Sequence, residues 1–305
     1  MIDVLLHMRA FADVVEQGSF AGAARLQGVA ASAITVRLQR LEDHVGAMLL
    51  QRSTRRISLT PEGEAFLIRC RNILAEVEDA VEQVTDAGPL RGAIRMTSVN
   101  DFGRTRLAPL LDGFQKMRPE VRIELTLSDA VADLIDGGYD LGIRTGPLVD
   151  SNLKARLILR GGRSVCASPD YWAEHGKPAH PKDLVTRNCL VLSRGGERQS
   201  LWRFQENGAP FEVRVSGNRT ANDGGVLREW AIAGAGIILK WDYDVAEDLR
   251  AGRLETALDA FRQREVNLYA VHSASRHPPR RVEALIEYLC QRLSGGMNSI
   301  KDIDV

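Results

Sequence analysis

Apolar positions recur at helical spacing from the start of the chain. Leu5, Met8, Phe11, Ala12 and Val15 form one stripe, and Gly18 is placed to end it. Ser19 has a hydroxyl that can accept from a free backbone N–H, so it predicts the cap of a second helix from Phe20 to Gln27. Ala21, Ala23 and Ala24 permit close packing there, and Gly28 supplies the turn. A third stripe, Ile34, Leu38, Leu41 and Val45, predicts an inward-facing helix over 31–45. Its opposite side carries Ser32, Val36, Gln39, Arg40 and Asp43, with Thr35 and Arg37 on the flanks. A short helix, a glycine turn and a longer amphipathic helix predict a helix-turn-helix, with the N-terminal half of the third helix as the part that enters a major groove. After Gly46, residues 49–60 read as a β-hairpin, with Arg52, Arg55 and Arg56 around a Ser53-Thr54 tip. An isolated arginine is ordinarily a solvated charge. A cluster behind a helix-turn-helix is instead expected on phosphates or in a narrow minor groove.

Thr60 can cap the next helix, Pro61 suits its first position, and Glu62 and Glu64 favour its positive end. Within it Phe66, Cys70, Ile73, Val77, Ala80 and Val84 alternate steps of four and three. That heptad seam fits a pairing surface, and it also fits an amphipathic helix packed on its own domain. Ala87-Gly88-Pro89 ends the helix. From Gly92 onward short apolar runs alternate with helical stretches, which predicts a mostly parallel sheet. Crossovers near Arg160–Arg163 and Arg262–Val266 then predict two α/β lobes with a cleft between them. The expected organisation is residues 1–60, a linker helix over 61–88, and a two-lobed region over 89–305. Its first lobe spans about 91–161 and 266–295, and its second about 162–265.

Two segments point into that cleft. In the first, Ser98, Asn100, Asp101 and Phe102 lead into a helix expected at about Gly103; in the second, Thr220, Asn222 and Asp223 lead into another near Asp223. Helix starts present unpaired N–H groups and partial positive charge, so two facing one cleft favour an anion, with a carboxylate the natural ligand. Arg144 and Thr145 add a cation and a hydroxyl. The alternative is structural: Ser98, Asn100 and Asn222 cap their own helices, and Arg144 is a surface or lobe-bridging charge. Asp101 and Asp223 also occupy the field that an anion would use.

Composition adds contrast along the chain rather than a global signature. The 305 residues carry zero formal net charge. Residues 1–60 nevertheless hold Arg9, Arg25, Arg37, Arg40 and the hairpin arginines, and residues 62–86 are mainly acidic. No apolar run reaches membrane-spanning length, and the opening lacks a basic leader, which predicts a cytoplasmic protein. Cys70, Cys166, Cys189 and Cys290 are scattered, predicting reduced and mostly buried thiols, with neither a disulfide framework nor a metal site. No cofactor is expected. An enzyme is the rival class, but Gly234-Ala235-Gly236 follows a helix and precedes a strand, the reverse of a phosphate-cradling loop. The common hydrolase, zinc-protease and nucleotide-binding motifs are missing.

The head carries a specific resemblance. Met8-Arg9-Ala10-Phe11, Gly18-Ser19-Phe20, Ala23-Ala24, Leu41-Glu42, Gly46, Leu49-Leu50, Arg52 and Thr60-Pro61-Glu62-Gly63, in that order and spacing, resemble the N-terminal domain of LysR-type transcriptional regulators. The alternating second half resembles the family's effector domain, whose lobes are like those of periplasmic binding proteins. The implied architecture is α+β and multi-domain: a winged helix-turn-helix, a dimerising linker helix and a two-lobed α/β effector-binding domain. The resemblance implies double-stranded operator DNA, a small-molecule effector, a homodimer or homotetramer, and RNA polymerase as partners. This chain has Ala30 and Ala31 where the family favours Ser and a polar residue, Thr35 where it has Ser, and Val36 where Arg or Lys is common. These departures imply a weaker helix start and fewer long polar base contacts. A larger share then falls to Ser32, Thr35, Arg37, thymine-methyl contact by Val36, and the hairpin arginines. Segments within 143–158, 165–184 and 238–254 resemble the subgroup containing regulators of D-malate use, which implies a hydroxy-acid or dicarboxylate effector. A ligand-independent repressor, or an enzyme with an appended DNA-binding domain, are the competing readings.

Overall fold

The computed structural model describes residues 2–52, 57–84, 88–129, 134, 137–146, 152–263, 266–274 and 277–295. The chain divides into two compact units, residues 1–88 with 135–138, and residues 89–134 with 139–305. In the first, α1 (Ile2–Gln17), α2 (Phe20–Gln27) and α3 (Ala31–Val45) pack around Phe11, Ala23, Ile34, Leu38 and Leu41. Ser19 caps α2, its hydroxyl accepting from the Gly22 N–H at 3.0 Å. Gly28 and Gly46 leave their helices at φ 66° and 76°, a conformation that a side chain disfavours. The hairpin is β1 (Leu50–Arg52) against β2 (Ile57–Leu59), antiparallel, with Leu50 opposite Leu59 and Arg52 opposite Ile57. Then α4 (Pro61–Val84) begins where the Thr60 hydroxyl accepts from the Gly63 N–H at 2.9 Å and donates to the Met48 carbonyl at 2.7 Å. A Cβ on Gly63 would lie 2.0 Å from the Leu49 carbonyl oxygen, so only glycine lets this helix start abut the hairpin.

Two expectations change here. Val45 does not complete the inward stripe; it is 37% exposed, and Glu42 turns inward instead. The chain reverses at Gly46 and brings the Leu49 and Leu50 N–H groups against the end of α3, and the buried Glu42 carboxylate accepts both, at 2.9 and 3.3 Å. The seam on α4 also splits. Cys70 is buried with Leu67 and Leu74, Phe66 packs on Phe11, and Ile73 and Val77 remain 43% and 41% exposed. Docking on α1 uses one face of the helix and leaves the next face outward. Ala80 lies on the exposed side, whereas the side chain of Val84 is outside the described residues.

The second unit opens with β3 (Gly92–Ser98), α5 (Asn100–Phe102), a π-helical turn over Gly103–Leu107, and α6 (Ala108–Met117). It continues through β4 (Val121–Leu127), β5 (Leu141–Thr145) and β6 (Leu153–Leu159) to the second lobe. That lobe contains β7 (Arg163–Ala167), α7 (Pro169–His175), β8 (Val191–Arg194), β9 (Glu197–Arg198), β10 (Leu201–Glu206) and β11 (Ala209–Arg214). Next come β12 (Thr220–Ala221), α8 (Gly224–Ile232), β13 (Ile238–Trp241), α9 (Asp242–Arg250) and β14 (Glu255–Ala257). The chain then returns through β15 (Leu268–Ser273) and α10 (Arg280–Gly295). The first lobe is a five-stranded sheet in the order β4-β3-β5-β15-β6, with α6 and α10 contributing Phe114, Val282, Leu285 and Leu289 to its core. The second is built around β13-β7-β14 and β12-β8-β9, with Trp172, Trp202 and Leu227 among its buried side chains.

The expected mostly parallel sheet is mixed. Strands β3, β4 and β5 are parallel, but β15 is antiparallel to both β5 and β6, with Leu268 opposite Leu159. The chain leaves from the end of β6 and re-enters at the same end, so the returning strand must run the other way. In the second lobe β13 and β14 are both antiparallel to β7. The helix expected near Gly103 starts earlier, at Asn100. Gly103 marks a close approach, since a Cβ there would meet the Leu127 side chain at 2.2 Å.

Candidate functional site

On α3, Ser32, Val36, Gln39 and Arg40 are exposed, Val36 by 47%. Thr35 is partly buried, and its hydroxyl donates to the Ala31 carbonyl at 3.1 Å, inside its own helix. Ala30 makes no side-chain cap. Arg37 does not stand free: it donates to the Gln27 side-chain oxygen, and the Gln27 amide donates to Asp13 at 2.6 Å, which ties α3 to α2 and α1. The outward face is therefore Ser32, Val36, Gln39 and Arg40, with Arg37 bracing it from behind. His7, absent from the sequence-based set, belongs to the same neighbourhood. Burial and then the Arg40 charge hold its imidazole below the ordinary histidine range. Arg52 occupies the last position of β1, and Ser53, Arg55 and Arg56 lie outside the described residues.

In the second unit the two helix starts singled out from sequence do face each other. They are occupied by the chain's own carboxylates. Asp223 caps α8, accepting from the Gly225 and Val226 N–H groups at 2.8 and 3.3 Å, and pairs across the lobes with Arg104 at 2.7 Å. Burial raises the Asp223 carboxyl, but the Arg104 hydrogen bond and the helix N–H groups outweigh it and hold it below the usual range. Asp101 pairs with the buried Lys240 ammonium, which also reaches Asp244 at 3.1 Å. Asn100 donates its backbone N–H and its side-chain amide to Asp129, at 3.0 and 3.3 Å. Ser98 and Phe102 are fully buried, the Phe102 ring lying 5.4 Å from Tyr243. Arg144 donates to the Thr97 hydroxyl at 3.2 Å, a bond within the first lobe. Of the nine cleft residues proposed from sequence, only Asp101 lines the cavity found between the lobes. Thr145, Thr220 and Asn222 do not reach it.

That cavity measures about 110 Å³. Asp101 and Asp129 line it from the first lobe, and Arg163, Arg194, Lys240, Tyr243 and Asp244 from the second. Arg163 lies over the Trp241 ring at 5.2 Å, and burial, followed by the charge of Arg194, pushes its guanidinium down to about 10, still protonated at neutral pH. Neither Arg163 nor Arg194 has a carboxylate partner among the described residues. Burial raises the Asp244 carboxyl against the pull of Lys240, and burial followed by the Asp244 charge raises the Tyr243 phenol. The Arg194 Nε, the Tyr243 hydroxyl and one Asp244 oxygen are buried without a hydrogen-bond partner among the described residues. Sequence reasoning missed these groups. Lys240 offered a signal, a charge inside the apolar run Ile237-Ile238-Leu239-Lys240-Trp241, and Arg163 stood at a predicted crossover. Arg194, before the Gly195-Gly196 turn, offered none.

A helix-turn-helix unit in one chain with a two-lobed α/β unit defines a DNA-binding transcriptional regulator with an effector-binding domain. The family model "LysR substrate binding domain" matches residues 87–294, and "Bacterial regulatory helix-turn-helix protein, lysR family" matches residues 5–64. The chain belongs to the LysR family, and it is a regulator rather than an enzyme. It is 31% identical to the HTH-type transcriptional regulator DmlR of Escherichia coli, over 95% of this chain and 94% of that protein. It is 28% identical to the HTH-type transcriptional activator TtdR of the same species, over 94% of each. The structure of CrgA from Neisseria meningitidis, a LysR-type transcriptional regulator, superposes with a TM-score of 0.62 at 30% identity, covering 94% of this chain and 98% of that one.

Proposed function

We propose that this protein binds a specific operator as a dimer, reading it with the outward face of α3 and the hairpin arginines, and that a small anion held between the two lobes of the second unit modulates that binding. In this reading residues 1–60 contact DNA, 61–88 pair the subunits, and 89–305 sense the ligand. The observation that carries the sensing part is the pair of half-buried arginines, Arg163 and Arg194, which line a cavity without carboxylate partners among the described residues. Buried charges are ordinarily paired, so an anionic ligand is the natural complement. The DNA part is supported by the exposure of Ser32, Val36, Gln39 and Arg40 on the third helix of a helix-turn-helix. A single such helix buries too little surface for tight specific binding, so the operator is expected to be roughly palindromic, with half-sites spaced by about one helical turn. Modulation requires that the ligand favour one assembly over another by differential affinity.

The test is fluorescence anisotropy of the full chain on its own promoter and on random duplex across a salt series, in wild type and Arg40→Ala. Wild type is expected to prefer the promoter. Arg40→Ala is expected to weaken binding and reduce the salt slope by about one, as loss of a phosphate contact does. Equal binding of both duplexes, or an unchanged slope in the variant, defeats the DNA-facing assignment of α3.

A further inference from the structure

We propose that Gln27, which lies outside the reading face, determines operator specificity: by joining Asp13 to Arg37 it fixes the angle at which α3 is presented, and Arg37 is a positioning residue rather than a base contact. This rests on the reading that α3 faces the duplex, and it adds what holds that face in register.

The contacts run across all three helices of the head. Arg37, on the flank of α3 beside Val36, donates to the side-chain oxygen of Gln27, the last residue of α2. The Gln27 amide nitrogen donates to Asp13 on α1 at 2.6 Å, and Asp13 is only 7% exposed. These partners fix the amide, whose nitrogen must meet the acid and whose oxygen must meet the guanidinium. A buried carboxylate is costly by itself, and here one amide couples it to a cation on a different helix. Glutamine alone serves both partners: a carboxylate at position 27 cannot donate to Asp13, and an apolar side chain serves neither.

The turn between α2 and α3 does not set their angle. Its Gly28 and Val29 N–H groups bond back to the Arg25 and Ala24 carbonyls, which ties the turn to α2. Ala30 gives α3 no side-chain cap. Ala23, Ile34, Leu38 and Leu41 pack the joint, but apolar burial is non-directional and tolerates a small rotation. Hydrogen bonds weaken steeply when misaligned, so the relay resists that rotation. Base readout needs side chains held to about 0.5 Å, whereas phosphate contacts carry no sequence information. Loosening the relay therefore costs affinity for the operator and spares affinity for random duplex.

Fluorescence anisotropy of the full chain on its own promoter and on random duplex, across a salt series, tests the relay. Gln27→Met removes both hydrogen bonds without changing charge. It is expected to weaken promoter binding about tenfold, with random-duplex affinity and the salt slope as in wild type. Gln27→Glu sets two carboxylates against each other and is expected to lose the same preference. Adding Asp13→Asn is expected to restore it. The amide at position 13 then donates to the carboxylate at position 27, which still accepts from Arg37, and the net charge is that of wild type. Arg37→Met is expected to lower promoter affinity with the slope retained, unlike Arg40→Ala. Promoter affinity unchanged or raised in Gln27→Met overturns the proposal and returns Arg37 to direct contact. Equal losses on both duplexes make the relay a structural tie only, and overturn it too. So does a double variant that binds no better than Gln27→Glu, or a slope that falls by about one in Arg37→Met. A wild type without promoter preference overturns the DNA-facing reading of α3, and this proposal with it.

Discussion

Asp248 shows what a single buried charge contributes here. Its carboxylate is fully buried on α9 between Arg228 and Arg253, the latter 2.6 Å away. Burial pushes this carboxyl up, but hydrogen bonds from Arg228 and Arg253 outweigh it and hold it below the ordinary value. A carboxylate depressed in the folded state stabilises the fold above its unfolded pKa of about 3.9, and that contribution disappears as pH falls through the folded value. Asp248→Asn is therefore expected to lower stability by about 1–2 kcal/mol at neutral pH, because it weakens charge-assisted hydrogen bonds to arginines that remain partly exposed. The difference from wild type should shrink as the pH drops below about 4; urea unfolding across a pH series measures it. Legibility varied sharply at this scale. The capping roles of Ser19 and Thr60 could be read directly, since a cap depends on residues three apart in sequence. The diversion of Arg37 to Gln27 and Asp13 could not, because it depends on where three helices meet.

Among the elements, α4 is the clearest case of pattern without partner. Its period was evident, but a heptad stripe does not say which of two adjoining faces docks on the helix's own domain. In the structure Leu67, Cys70 and Leu74 face α1, whereas Ile73, Val77 and Val81 are exposed. If that outer stripe pairs two subunits, the double substitution Ile73→Glu with Val77→Glu should give a monomer in sedimentation and lose tight operator binding, with the first unit still folded by circular dichroism. A dimer that survives both charges would remove α4 from the interface. The hairpin of β10 and β11 teaches a related lesson. Asn207 and Gly208, with φ of 51° and 83°, form the kind of turn that such a dipeptide favours, yet the turn does not say that the two strands stand as a sheet of their own.

At the scale of the whole sensing unit, Asp242 gathers the two crossovers. It accepts from the Gly162 N–H at 3.0 Å and the Ser164 hydroxyl at 2.8 Å, and pairs with Arg262 on the returning segment. Asp242→Asn is expected to speed amide exchange at Gly162 about tenfold by weakening these charge-assisted bonds; unchanged exchange would show that the crossovers are held by other contacts. The positions of the crossovers, and hence the two lobes, were readable because each falls where an apolar run stops. The sequence by itself determined the helix-turn-helix, its caps and turns, and the two-lobed plan, because these follow from short-range periodicity and local hydrogen bonding. Only the tertiary structure decided which charges share the cavity. Asp101, Arg163, Arg194 and Lys240 lie far apart along the chain, and whether each is neutralised or left without a partner depends on long-range packing that no local pattern encodes.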